Sequence, residues 1–115
     1  MDRFCIDATR ENAIANHVDD KIEIVEAAGA DWTSAQFPVV IANLMSDLLI
    51  RLAPDLHHRV LDNGTLIVSG ISSPRADDVE AALQKVGFRT HHKREQDGDT
   101  RGDYTERWTA FVFEK

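Results

Sequence analysis

The sequence predicts an α/β domain with a mostly parallel sheet that closes in an antiparallel hairpin. Three observations carry this. First, Phe37-Pro38-Val39-Val40-Ile41-Ala42-Asn43-Leu44 is a continuous apolar run, the pattern of a strand covered on both faces by helices. Second, Thr65-Leu66-Ile67-Val68-Ser69-Gly70-Ile71 repeats that character after a helical stretch, so strand, helix and strand make one right-handed crossover in a parallel sheet. Third, the last strand is apolar on both faces and follows a polar one, which places it inside the sheet with the polar strand at its edge.

Taken in order, residues 3 to 18 read as a helix, with Asp2 as its cap and alanines at Ala8, Ala13 and Ala15. Lys21 to Ala27 reads as a short strand with Ile22, Ile24 and Val25 as its apolar members, followed by a loop containing Gly29. Pro38 stands at the start of the core strand, where its missing donor costs least. The central helix places Leu48, Leu52, Leu56 and Val60 on one face, with Leu49 and Ala53 beside them and Ser46 as its cap. Pro54 lacks the amide that would bond back to Ile50, so a kink or restart is expected near Ala53. Asn63-Gly64 ends that helix.

Ser73-Pro74 opens the next helix with serine at the cap; Val79, Ala82, Leu83 and Val86 form its buried face and Gly87 closes it. Phe88 to Glu95 reads as an edge strand, Gln96 to Asp103 as a turn-rich connection, and Tyr104 to Phe113 as the final strand. In that strand Trp108, Ala110 and Val112 take one face and Phe111 and Phe113 the other; Trp108 reads as core.

Composition narrows the function. A chain of 115 residues, 43% hydrophobic, suffices for one small globular domain spanning residues 1 to 115. The formal charge of -7 disfavours a direct grip on nucleic acid or an anionic membrane and suits a basic protein partner. Cys5 alone forbids an internal disulfide and fits a reducing, cytoplasmic setting. No apolar stretch approaches the roughly 20 residues of a membrane helix, and no signal pattern opens the chain. His57-His58 and His91-His92 are adjacent pairs whose side chains diverge, so no metal site is expected.

In open sheets ligands sit beyond the carboxyl ends of the strands, which directs attention to Asn43 and to the Ser69-Gly70 pair. More specific residues agree. Arg10-Glu11-Asn12-Ala13 with Asn16, then Val39-Val40-Ile41-Ala42-Asn43-Leu44, then Leu52-Ala53-Pro54, then Asn63-Gly64-Thr65-Leu66-Ile67-Val68-Ser69-Gly70-Ile71 and Glu106-Arg107-Trp108-Thr109-Ala110 resemble, in order and spacing, the PrmA-type ribosomal protein methyltransferases. The resemblance covers essentially the whole chain.

It implies an incomplete Rossmann-like class I methyltransferase domain that uses S-adenosylmethionine to methylate amino groups of the large-subunit ribosomal protein L11. It also implies site residues. The family's tripeptide at the end of the fourth strand maps onto Ala42, Asn43 and Leu44, making Asn43 the catalytic candidate and Ala42 and Asn43 cofactor contacts. Asp2 matches the second aspartate of the family's D-x-D-P, and Ala28 and Gly29 belong to the loop near the adenine. Asn43, Leu44, Ser69 and Gly70 become the substrate-binding candidates.

Departures shape the expectation further. The glycines, at 29, 64, 70, 87, 98 and 102, never form the G-x-G turn that approaches the cofactor, and no strand precedes the first helix. Arg3 stands where the family has proline, and Pro38 where it has aspartate. The chain therefore reads as the family's catalytic domain without its first two strands, with weak or absent cofactor binding and no activity by itself. A non-catalytic remnant that binds a protein or self-associates is the alternative, and another nucleotide-binding domain a third reading. In the family's strand order of three, two, one, four, five, seven, six, the core strand would lack a neighbour, and the Ile22 strand is expected to move across and pair with it.

Overall fold

The computed structural model describes residues 3–24 and 33–115, which form two compact units dividing between residues 32 and 33. In the first, α1 spans Arg3–Ala15 and stops short of the expected residue 18. Its end is a local device: Val18 N–H donates to Ala13 O at 2.9 Å and His17 N–H to Ile14 O at 3.1 Å, with His17 in the left-handed region at φ 58. These are the two bonds of a Schellman closure, made here with histidine in glycine's usual place. Lys21 N–H then bonds Val18 O at 2.9 Å, turning the chain.

The strand expected over Lys21 to Ala27 is not formed at residues 21–24, which are a turn and irregular backbone. Ile22 and Ile24 instead line a shallow cleft with Ala13 and Ile14. The rest of that segment, Ala28 and Gly29 included, lies outside the described residues, as does Asp2.

The second unit is a four-stranded sheet with two helices. Its elements are β1 (Phe37–Asn43), α2 (Ser46–Arg59), β2 (Val60–Ser72), a 3-10 turn (Ser73–Arg75), α3 (Ala76–Val86), β3 (Arg89–Arg101) and β4 (Tyr104–Glu114). The strand order is β1-β2-β4-β3, parallel between β1 and β2 and antiparallel elsewhere. This is the four, five, seven, six order of the resemblance. No strand pairs with the outer edge of β1 among the described residues, so the expected transfer of an Ile22 strand to that edge does not occur there.

Register decides which side chains share a face. Val40 lies beside Leu66 and Leu66 beside Phe113; Ala42 lies beside Val68 and Val68 beside Phe111. Leu66, Val68, Phe111 and Phe113 are fully buried here, together with Leu49, Ala53 and Leu56 of α2 and Ala76, Val79 and Leu83 of α3. The two helices pack on each other, α2 against β1 and β2 and α3 against β3. Thr90 ties α3 to β3, donating from Oγ1 to Glu80 Oε2 at 2.6 Å and accepting from Gln84 Nε2 at 3.1 Å.

The opposite face corrects the expectation of a doubly covered core strand. Val39 and Ile41 are 52% and 71% exposed, and their neighbours Thr65 and Ile67 are only half-buried. Alternation is hidden in the sequence because β1 is apolar from Phe37 to Ala42, and both described helices of this unit serve one face.

Local breaks were weaker than the sequence suggests. Pro54 lies within α2, which runs unbroken from Ser46 to Arg59 with the proline on its exposed side, where water can take the carbonyl of Ile50. The buried stripe is Leu49, Ala53, Leu56 and Val60, with Leu48 and Leu52 half-buried beside it. Ser46 is the first helical residue and not the cap; Met45 holds that position without a side-chain bond. Asn63-Gly64 is a bulge inside β2: Phe37 pairs with Val60 but Val39 with Thr65, and Asn63 takes φ 65. Ser72, not Ser73, precedes the 3-10 turn, and Ser73 Oγ meets the buried Thr109 Oγ1 at 2.8 Å. The segment read as a connection, Gln96 to Asp103, is strand as far as Arg101, held by Arg107 to Asp97 at 3.1 Å and Thr100 to Thr105 at 3.0 Å.

Candidate functional site

Asn43 is the last residue of β1 and is exposed beyond the carboxyl end of the strand. Pairing puts Ser69 of β2 directly beside it. Gly70 follows at φ 75, a left-handed conformation that glycine adopts without a Cβ penalty. A Cβ at Gly70 would run into Asn43 Oδ1, so the glycine makes room for the asparagine carboxamide over the β2 backbone. The structure thereby brings Asn43, Ser69 and Gly70 together at one rim.

Ala42 differs. It is buried on the helix-covered face, so only its backbone is placed to meet a ligand. Leu44 follows the strand and is half-buried.

A cleft of about 340 Å³ opens at this rim. It is lined by Gly70 and Ser72 of β2, by Met45, Ser46 and Asp47 at the start of α2, and by Arg75 and Trp108. Asp47, in the first turn of α2, is favourably placed against the helix dipole. Arg75 Nη2 donates to Asp47 Oδ1 at 2.8 Å and Arg75 Nε to Asp78 Oδ2 at 3.3 Å. Donation of a hydrogen bond to Asp47, then the charge of that carboxylate, raises the guanidinium further above its ordinary value, so Arg75 stays cationic.

Trp108, read from sequence as core, is 42% exposed and forms part of the cleft wall. A Cβ at Gly98 would lie 2.7 Å from Trp108 Nε1, so the indole rests where β3 lacks a side chain. Sequence reasoning did not single out Asp47 or Arg75. They are 28 positions apart, and the one usable signal is that each follows shortly after a rim residue, Asn43 or Gly70.

The other cofactor candidates, Asp2, Ala28 and Gly29, lie outside the residues the structure describes. Among the described residues no three His, Cys, Asp or Glu side chains gather as metal ligands. Among the described residues no helix is long and apolar enough to cross a membrane.

Against known structures, the chain superposes on a ribosomal protein L11 methylase from Lactobacillus delbrueckii subsp. bulgaricus with a TM-score of 0.82 at 24% identity, covering 97% of this chain and 53% of that one. It also matches an M1.HpyAVI–SAM complex with a TM-score of 0.59 at 15% identity, covering 71% of this chain and 45% of that one. The fold is thus that of the Rossmann-like methyltransferases, represented by part of the sheet. The sequence model of the family "Ribosomal protein L11 methyltransferase (PrmA)" matches residues 1–104, and the chain belongs to that family. The ribosomal protein L11 methyltransferase of Desulfitobacterium hafniense is 31% identical over 98 residues, which cover 85% of this chain and 31% of the relative. The chain spans about a third of the length of the curated relatives it matches.

Proposed function

We propose that this chain forms the acceptor side of an S-adenosylmethionine-dependent protein N-methyltransferase acting on ribosomal protein L11, in the cytoplasm where that substrate is made. The observation that carries it is Asn43, exposed at the end of β1 against Gly70 in a chain of this family. S-adenosylmethionine, when bound, supplies a methyl group on a sulfonium sulfur open to in-line attack. An attacking amine must be neutral, because an ammonium has no lone pair. The Asn43 side-chain carbonyl accepts one N–H of that amine and fixes the direction of its lone pair without adding charge, while Leu44, Ser69 and Gly70 shape the approach. The Ala42 and Asn43 backbone would border the methyl group, and Asp2, Ala28 and Gly29 would hold the ribose and adenine.

The 115-residue chain by itself binds the cofactor weakly, since it has no G-x-G turn to supply backbone donors. Isothermal titration is expected to give a dissociation constant weaker than about 100 µM; saturable binding tighter than that contradicts this part of the reading. In a fusion placing the preceding segment of the Lactobacillus protein ahead of this chain, tritiated methyl should pass from S-adenosylmethionine to L11. There Asn43→Ala should lower kcat at least about tenfold with little change in cofactor dissociation constant. Equal kcat for variant and parent removes Asn43 from the reaction.

A second reading has its own observation. The outer edge of β1 is unpaired among the described residues and carries exposed Val39 and Ile41, which suits self-association through that edge.

A further inference from the structure

The pairing of β2 with β4 ends at Ser72 and Trp108, where Ser73 turns away into the 3-10 segment with its Oγ 2.8 Å from Thr109 Oγ1. β3 and β4 continue together as far as Arg101 and Tyr104, and Gly102, at φ 61, opens the two-residue turn that joins them. The result is a two-stranded arm that runs past the carboxyl end of β2, beside the cleft that Trp108 lines. One edge of this arm is open. Lys115 N–H donates to Gly64 O at 3.0 Å, so the odd-numbered residues at that end of β4 turn their backbone groups toward β2. Each slip of register places its extra residue in β2 or β3, which leaves β4 regular and carries the alternation to its other end. Thr105 and Arg107 therefore aim N–H and C=O at the side where β2 has stopped, and neither has a backbone partner there among the described residues.

Cross-strand contacts on one face give the arm its order: Arg107 reaches Asp97 at 3.1 Å and Glu95 at 3.6 Å, and Thr100 bonds Thr105 at 3.0 Å. On the other face Tyr104, 60% exposed, and Trp108 flank Glu106, whose carboxylate has no ion-pair partner among the described residues. Acidic groups dominate the arm, with Asp97, Asp99, Asp103 and Glu106 against Arg101 and Arg107. Two strands alone are marginal in water, and a third completes both the hydrogen bonding and the packing.

We propose that the open edge of β4 at Thr105 and Arg107 docks an extended, basic segment of a protein partner, which joins the arm as a third strand in line with β2. The segment runs antiparallel to β4, the more stable pairing per residue, and its backbone meets the N–H and C=O groups of Thr105 and Arg107. A cationic side chain of the segment lies beside Glu106, between the rings of Tyr104 and Trp108. The charge of -7 on the chain favours a basic occupant over a second copy of itself. This goes beyond the methyltransferase reading: it concerns how a polypeptide is held and stands whether or not a methyl group is transferred.

The test follows backbone amide exchange in this chain with an N-acetylated, C-amidated heptapeptide, Thr-Arg-Thr-Arg-Thr-Arg-Thr, which carries positive charge without an amine. The dissociation constant should be on the order of millimolar. At a peptide concentration of about twice that constant, exchange at Thr105 and Arg107 should slow about threefold, while Tyr104 and Glu106, turned toward β3, stay as they were. The same peptide with its backbone amides N-methylated, and a version with glutamate for arginine, should leave exchange unchanged. Glu106→Gln should weaken binding by about threefold and high salt should do the same. Unchanged exchange at Thr105 and Arg107, equal slowing by the N-methylated or the acidic peptide, or undiminished binding in Glu106→Gln each overturns the inference. Slowing that follows chain concentration without any peptide also overturns it, giving the edge to a second copy.

Discussion

β1 and β4 both read from sequence as strands to be buried on two faces, and they meet different fates. β4 is paired on both edges, by β2 and β3, and its Thr109, Phe111 and Phe113 are buried under the helices. β1 is paired on one edge, and Val39 and Ile41 face outward. An apolar run therefore reports what a strand is fit to bury, while neighbours decide what it does bury. Burial energetics make this contrast measurable.

The largest effect should come from the covered side. Phe113→Ala removes a fully buried ring packed 5.2 Å from Phe111 and 6.1 Å from Phe88 between centroids, and should lower unfolding free energy by about 3–5 kcal/mol in urea. Ile41→Ser, at a 71% exposed position, should change it by no more than about 0.5 kcal/mol. If Ile41→Ser costs as much as Phe113→Ala, the open face is covered after all. The same variant addresses self-association: should the parent sediment as a dimer, Ile41→Ser should shift it toward monomer, and an unchanged dimer would locate the interface elsewhere.

The smallest effect sharpens the comparison by pH. His57 lies on the covered side, its ring 5.0 Å from that of Phe88, and burial, then the charge of Lys115, lowers its pKa below 6.5. The unfolded chain thus binds more protons than the folded one in the window from 6.5 down to the lowered value. The stability that neutral His57 contributes is complete above that window and lost as pH falls through it. Urea midpoints at about pH 7.5 and pH 5.5 should therefore differ less in His57→Gln than in the parent. An equal or larger difference in the variant contradicts this assignment.

Much of the fold was legible because its strongest signals were redundant. The strand, helix and strand from 37 to 71 and the closing hairpin each rest on several apolar residues, and Asn43, Ser69 and Gly70 fall at one rim as topology requires. The failures lie where one residue stood for a boundary. Gly87 closes α3 at φ 120 as expected of glycine, with Phe88 N–H on Leu83 O at 3.1 Å. His17 closes α1 by the same two bonds, and nothing in a histidine announces that role. Asn63-Gly64 and Gln96 to Arg101 carry the composition of turns, but pairing with neighbouring strands overrode it, leaving Gly102-Asp103 as the turn. Asp47 and Arg75 were invisible for a different reason: their pairing exists only after β1, α2 and β2 have folded.

The absence of a side chain at Gly98 reaches further than its own strand. It belongs to the outermost strand of the sheet, in the stretch between Asp97 and Thr100 where the β3–β4 register slips, and it sets where the indole of Trp108 can lie. Since that indole walls the cleft beside Gly70, a side chain at position 98 would narrow or widen the aperture without touching anything bound there. Selectivity in such a site can drift through an edge position on the solvent side of the molecule, leaving every residue at the rim unchanged.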